Sequence, residues 1–356
     1  MFYSLVLRFF LEKDIAFTHH LGRALHGMFF SLLKRCDASY ASWLHNSTTH
    51  RPFTVSPITA WKLPETGGPF SMLAFKQDRQ SSPEKPAARV SFNGYPLDGD
   101  KEFNPFKPDP DQAGPGNMPG HSPKSVYPGR PLNLMGTPGL LEGATPAGPP
   151  LLAAGGLYRV RFTILQDRPF LKLSEYFLGI RKGVRLFLAG APVSVKEVLI
   201  TPTAADPWPG HADPAELLAR AQGVNAITLF FASPTTFRRG DINLPLPVPR
   251  LVFQSLYEKW QHFCPHLPLK EDLLDFIDQN LFPAEYDLQT NMVNFGKNAM
   301  YVGFTGRCTF GLKQRTIQTY PEHARQVDLL ASFAFYAGVG QKTTMGMGQC
   351  FKKAAE

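Results

Sequence analysis

Near its C-terminus the chain reads Gly338-Val339-Gly340-Gln341-Lys342-Thr343-Thr344-Met345-Gly346-Met347-Gly348, two Gly-x-Gly pairs around five residues that include a lysine. Glycine takes positive φ and lets another backbone come close. A run of amides with little side-chain cover suits an anion such as a phosphate. The residues before the run, His323 to Tyr336, read as a helix, and Gln349 to Lys352 read as a short strand. A dinucleotide fingerprint runs strand, glycine loop, helix. Here the order is helix, loop, strand, so a nucleotide cofactor is rejected. The plain alternative is a tight helix-to-strand turn.

A chain of 356 residues is long enough for two domains with cores of their own. Hydrophobic residues at 43% and aromatics at 12%, with 29 phenylalanines, fit a globular protein. The net charge of +8 and a pI near 9.3 favour a polyanionic partner, nucleic acid first and an anionic membrane second. A basic balance that only aids solubility is the bland reading. Cys36, Cys264, Cys308 and Cys350 are far apart, so neither zinc spacing nor a disulfide framework is expected. Isolated thiols suit a reducing cytosol, and the expected location is cytoplasmic. No apolar run approaches the ~20 residues of a membrane span. Met1 to Phe10 is apolar but carries Arg8 and is followed by Glu12 to Asp14, so it reads as a first strand and not as a signal peptide.

The elements that must position the loop follow from pattern. Phe2 to Phe10 is a strand. Leu21, Leu25, Met28, Phe29, Leu32 and Leu33 give helical spacing over His19 to Cys36. Asp37 caps a short helix, Ala38 to Leu44, and a strand runs from Arg51 toward Trp61. From Pro64 to Pro150 prolines and glycines crowd in and aliphatic residues thin out. Residues 64–153 are therefore expected to be an insertion, largely disordered, with short pieces such as Arg89 to Phe92 pinned down. Leu157 to Leu165 is a strand, Leu171 to Gly183 a helix, and Val184 to Leu188 and Val193 to Ile200 a strand pair. A second unit has strands at Ala226 to Phe231, Asn291 to Phe295 and Tyr301 to Leu312. Its helices are Pro249 to His262, Lys270 to Asn280 and His323 to Tyr336, and Ser233 to Gly240 is a basic connector. The expected class is α+β: two tandem ferredoxin-like (βαββαβ) domains. The first comprises 1–63 and 154–200, and the second 216–356.

Three places carry a resemblance. They are Leu25-His26-Gly27 with Trp43-Leu44-His45 and Arg51 to Pro57, then Phe231 to Arg239, then the glycine loop. In that order they resemble the sixth Cas family of the RAMP superfamily, the CRISPR-associated endoribonucleases that cut repeat RNA into guide RNAs. The resemblance implies tandem ferredoxin-like domains, in agreement with the pattern above. It also implies cleavage without metal or cofactor. The ribose 2′-hydroxyl attacks the adjacent phosphorus and leaves a 2′,3′-cyclic phosphate and a 5′-hydroxyl. Such a site must take one proton, give another and steady the charge between.

On this resemblance His45 is the first catalytic candidate. It ends a short helix whose dipole favours an imidazolium. Arg51 stands where some members carry a lysine that stabilises the transition state, and it brings a bidentate fork. Some members carry a catalytic tyrosine where this chain has Phe30, which cannot transfer a proton. His26, four residues earlier on the same helix face, is the natural substitute; His50 is a second and Tyr40 a weaker one. His19 and His20 read as loop or helix-start residues. For RNA binding the candidates are Lys342, with Gly338, Gly340, Gly346 and Gly348 as backbone contacts, then Arg238 and Arg239, with Arg307 and Lys313 behind them. No metal ligands are expected. The expected partner is CRISPR repeat RNA; an effector complex and a homodimer stay open, and no membrane partner is expected. The competing reading is a non-catalytic RNA-binding subunit of the same superfamily, holding the guide in an effector complex.

Overall fold

The computed structural model describes residues 1–17, 19–46, 50–61, 151–179, 185–296 and 299–353. The N-terminal half is built on β1 (Phe2–Leu11), α1 (Gly22–Cys36), α2 (Ala38–Asn46), β2 (Phe53–Val55), β3 (Leu157–Ile164), α3 (Asp167–Gly179), β4 (Arg185–Leu188) and β5 (Ala191–Leu199). Its antiparallel sheet runs β2-β3-β1-β5-β4. β1 is central, with Tyr3 opposite Ile164 on β3 and Leu7 opposite Val198 on β5. α1 buries Leu25, Met28, Phe29, Leu32 and Leu33, one stripe at helical spacing. That stripe joins Leu5, Leu7, Val160, Phe162 and Val193 of the sheet in one core.

The C-terminal half contains β6 (Ala226–Thr235), α4 (Pro249–Phe263), α5 (Leu273–Asn280), β7 (Phe282–Asn294), β8 (Met300–Gly311), α6 (Pro321–Ala337) and β9 (Cys350–Lys352). The sheet order is β7-β8-β6-β9, so the first strand is again internal. Trp260 and Phe253 of α4 and Phe333 of α6 are fully buried in a second core with Phe231 and Phe310.

α6 ends against the N-terminal sheet. The last carbonyls of a helix have no partner within it, and here other elements supply donors. Arg161 Nη2 donates to Phe335 O (2.6 Å), Thr163 Oγ1 to Tyr336 O (2.6 Å) and Lys259 Nζ to Ala337 O (2.9 Å). Gly338, at φ 61°, then turns the chain into the glycine loop.

Several expected boundaries move. The strand expected from Arg51 toward Trp61 is two pieces, β2 and Thr59–Ala60, separated by Pro57. The expected Leu171–Gly183 helix runs over Asp167–Gly179. β7 begins at Phe282, nine residues before the strand expected at Asn291. The expected connector Ser233–Gly240 is the end of β6 and half of a hairpin, Phe237–Arg239 against Ile242–Leu244. Residues 201–215, left between the two expected domains, contain strand Gly210–Ala212, paired with β1, and the start of helix Pro214–Arg220. The insertion expected at 64–153 lies outside the described residues except 151–153, where Leu151–Leu152 pairs with Ile15–Ala16. No described helix is long and apolar enough to cross a membrane.

Candidate active site

α1 carries His26 on the face that meets the glycine loop. Its Nδ1 lies 3.1 Å from the Thr344 carbonyl oxygen. A carbonyl only accepts, so Nδ1 carries the hydrogen and the neutral ring keeps its lone pair on Nε2. Burial lowers the His26 pKa; the bond to Thr344 opposes this, and the charges of Arg51 and His45 add to the lowering. The ring is half-buried, 4.9 Å from Phe30 and 5.6 Å from Phe53, centroid to centroid.

Phe30 connects the two histidines. Its ring also meets His45 edge-on at 5.5 Å. His45 lies in the last turn of α2 and is exposed. Arg51 enters β2 and donates from Nη2 to the His45 carbonyl at 3.1 Å. Its Nη1 is buried without an acceptor among the described residues, and burial lowers the guanidinium pKa. The guanidinium is partly exposed and close enough to His26 to act on its charge, and a guanidinium fork suits an anion. His26, His45 and Arg51 therefore form one group around Phe30.

The other candidates lie elsewhere. The His50 ring faces His262 of α4 at 5.5 Å. Burial lowers its pKa, with help from His262 and Lys259 and against Glu258. Tyr40 is buried, donates to Gln166 Oε1 (2.8 Å), and burial pushes its hydroxyl up to about 12, so it is poorly suited to proton transfer. His20 accepts the Gly22 N–H on Nδ1, and burial pushes it down to about 4. His19 is exposed.

The glycine loop is held mainly by its own amides. The N–H groups of Gly338, Gly340 and Gly348 donate to Ala334 O, Ser255 Oγ and Pro234 O. At Gly340 a Cβ would meet Thr236 O at 2.4 Å, and φ is +75°. A Cβ on Gly346 would meet the His20 ring at 2.7 Å. Lys342 takes a left-handed conformation, φ 55°, with Nζ 5.5 Å above the Tyr301 ring. Gln341 Nε2 reaches Asn243 Oδ1 on the neighbouring hairpin (3.1 Å), whose other strand carries exposed Arg238 and Arg239. Arg307 pairs with Glu285 (2.7 Å), and Lys313 is exposed ahead of helix Gln314–Thr319.

A cleft of about 1100 Å³ has walls from both sheets. Arg159, Arg161, Arg307, Lys352, Trp208 and Phe335 line it. Among the described residues no three His, Cys, Asp or Glu side chains converge as a metal site.

The Thr344 carbonyl and the Lys259 and Ser255 side chains are the site features that sequence reasoning missed. The only signal for the last two is their i, i+4 spacing on α4.

Comparison with known proteins speaks to the family and the fold. The sequence model described as "CRISPR Cas6 N-terminal domain" matches residues 1–91, and that described as "CRISPR-associated endoribonuclease Cas6" matches residues 229–350. A Streptococcus thermophilus protein named CRISPR-associated endoribonuclease Cas6 is 28% identical over 135 residues, 37% of this chain and 53% of that one. A Mycobacterium tuberculosis protein of the same name is 30% identical over 118 residues, 33% of this chain and 36% of that one. The matches thus span about half or less of those relatives. A solved Cas6 product complex superposes with TM-score 0.62 at 24% identity, over 99% of this chain and 100% of that one. A Thermus thermophilus Cas6 superposes with TM-score 0.57 at 22% identity, over 99% and 98%. At these identities the structures speak for the fold. With both family models matched in order along its length, the chain belongs to the Cas6 family of CRISPR-associated proteins.

Proposed function

We propose that this protein is an endoribonuclease that cuts CRISPR repeat RNA without metal, leaving 2′,3′-cyclic phosphate and 5′-hydroxyl ends. The observation that carries the reading is the grouping of His26, His45 and Arg51, with the His26 Nε2 lone pair left available by the Thr344 contact. His26 Nε2 takes the proton of the 2′-hydroxyl. The 2′-oxygen bonds to phosphorus as the bond from phosphorus to the 5′-oxygen breaks. His45, exposed at the end of α2, gives a proton to that leaving oxygen. The partly exposed Arg51 guanidinium holds a non-bridging oxygen as charge builds.

Binding is assigned to Lys342 on the loop and to Arg238 and Arg239 on the adjoining hairpin. Phosphate contacts of this kind give affinity that falls with salt. The glycines of the loop shape the backbone that carries Lys342. The order second-third-first, common to β2-β3-β1-β5-β4 and β7-β8-β6-β9, supports two tandem ferredoxin-like domains, 1–63 with 154–200 and 216–356. Four free thiols suit work in the cytoplasm.

One specific observation favours a second reading, a non-catalytic guide-holding subunit: Phe30 stands where a proton-transferring tyrosine would. A repeat RNA carrying a single 2′-deoxy substitution decides between them. The nuclease cuts the all-ribose RNA in EDTA, and one 2′-deoxy position abolishes the cut with binding unchanged. The guide-holding subunit binds both RNAs and cuts neither.

A further inference from the structure

We propose that Lys259 is a positioning residue for the cleavage reaction. From α4 it grips the two carbonyls that open the glycine loop, and the loop presents the Thr344 carbonyl that fixes the proton of His26 on Nδ1. The proposal rests on the reading of His26 as the base.

The chain of contacts is continuous. Lys259 Nζ donates to Ala337 O at 2.9 Å and to Gly338 O at 2.8 Å, across the junction of α6 and the loop. A donor cation at a helix C-terminus meets both the orphan carbonyls and the negative end of the dipole. One helical turn earlier on α4, Ser255 Oγ accepts the Gly340 N–H at 3.0 Å. Gln341 N–H donates to Thr236 O at 3.0 Å. Lys342 O then accepts from Met345 N–H (2.8 Å) and Met347 N–H (3.3 Å), closing the turn that holds Thr344. Thr344 O meets His26 Nδ1 at 3.1 Å. From Gly338 to Thr344 the backbone is thus held at several successive residues, and α4 supplies the first two grips.

Burial pushes the Lys259 ammonium down to about 7, with Glu258 opposing. A neutral amine still has two N–H groups, so both carbonyls keep a donor in either charge state. Without Lys259 the two carbonyls lose that donor and the loop start relaxes. The imidazole is then free to carry its proton on Nε2, where it accepts nothing from the 2′-hydroxyl. Mutation of a residue that does not touch RNA should therefore reduce rate and spare affinity.

The test uses the full chain, uniformly labelled with ¹⁵N, with His26 assigned by comparison with His26→Asn. Long-range ¹H–¹⁵N spectra at pH 8 should show the wild-type His26 ring with its hydrogen on Nδ1. In Lys259→Met the ring should exchange between both forms. Single-turnover cleavage of repeat RNA should fall at least tenfold while affinity stays within threefold, and Lys259→Arg should recover part of both signals. If Lys259→Met does not fold, Ser255→Ala carries the same readouts, in the same direction and smaller. A Lys259→Met protein that folds and keeps the wild-type His26 spectrum overturns the proposal. So does a wild-type ring with its hydrogen on Nε2. A protein whose His26 spectrum responds as predicted but which cuts no RNA upholds the positioning chain and refutes the nuclease reading instead.

Discussion

Arg161→Met is expected to be among the most destabilising single changes in the protein. The guanidinium is fully buried, and burial pushes its pKa down to about 9. It donates from Nε to Ser4 Oγ (2.7 Å), from Nη1 to Gln349 Oε1 (2.8 Å) and from Nη2 to Phe335 O (2.6 Å). Its Cζ lies 4.0 Å from the centroid of the Phe335 ring. Ser4 belongs to the N-terminal sheet and the other two partners to the C-terminal half, so one side chain ties both together. Gln349 in turn donates to Thr54 Oγ1 at 3.1 Å, extending the tie to β2. Methionine fills much of the volume but leaves three buried acceptors without this donor, at about 1–3 kcal/mol each. Removing a desolvated charge offsets part of that, and a net loss of about 3–5 kcal/mol is expected. Urea denaturation followed by circular dichroism reads the change as a lower midpoint. Lysine should rescue poorly, because it cannot reproduce the planar fork. A loss below about 1 kcal/mol would refute the claim that this network holds the two halves together.

Three further outcomes follow from the same geometry. His20 and His26 are both held neutral by burial, so below pH 6.5 the native state binds fewer protons than the unfolded chain; stability is complete above that value and falls as the pH drops toward 4, and His20→Asn should flatten the fall in a pH series of melts. Gly340→Ala places a Cβ 2.4 Å from Thr236 O at positive φ, so it should cost at least about 1–2 kcal/mol from backbone conformation alone, read as a lower melting temperature. Gly27→Ala meets nothing within 4 Å on the exposed face of α1 and should stabilise by about 0.5–1 kcal/mol in the same assay.

Part of the scaffold is legible from pattern: α1 has one buried stripe, Leu25 to Leu33, which places it to within a few residues. α6 is buried on nearly every side, and its apolar run ending at Tyr336 places it as closely. β7 was half missed because it is exposed along most of its length, so its residues have no reason to alternate. The hairpin at Phe237–Leu244 was missed because its strands are only three residues each. Within the site, the glycine loop, Arg51 and the histidines were legible as residue types, and the four-residue step from His26 to Phe30 was legible as a shared face. The bond that fixes the His26 hydrogen on Nδ1 was not. It joins residues 318 apart to a backbone carbonyl, which leaves no mark on composition or spacing. The Lys259 contacts with Ala337 O and Gly338 O leave no mark in the sequence for the same reason.

The central claim is tested most directly by single-turnover cleavage of an end-labelled repeat RNA in EDTA, comparing wild type with His26→Ala. The account predicts one metal-free cut by wild type, a loss of at least a hundredfold in His26→Ala, within the range that proton-transfer groups supply, and RNA affinity within threefold of wild type. A His26→Ala protein that cuts at the wild-type rate would contradict it.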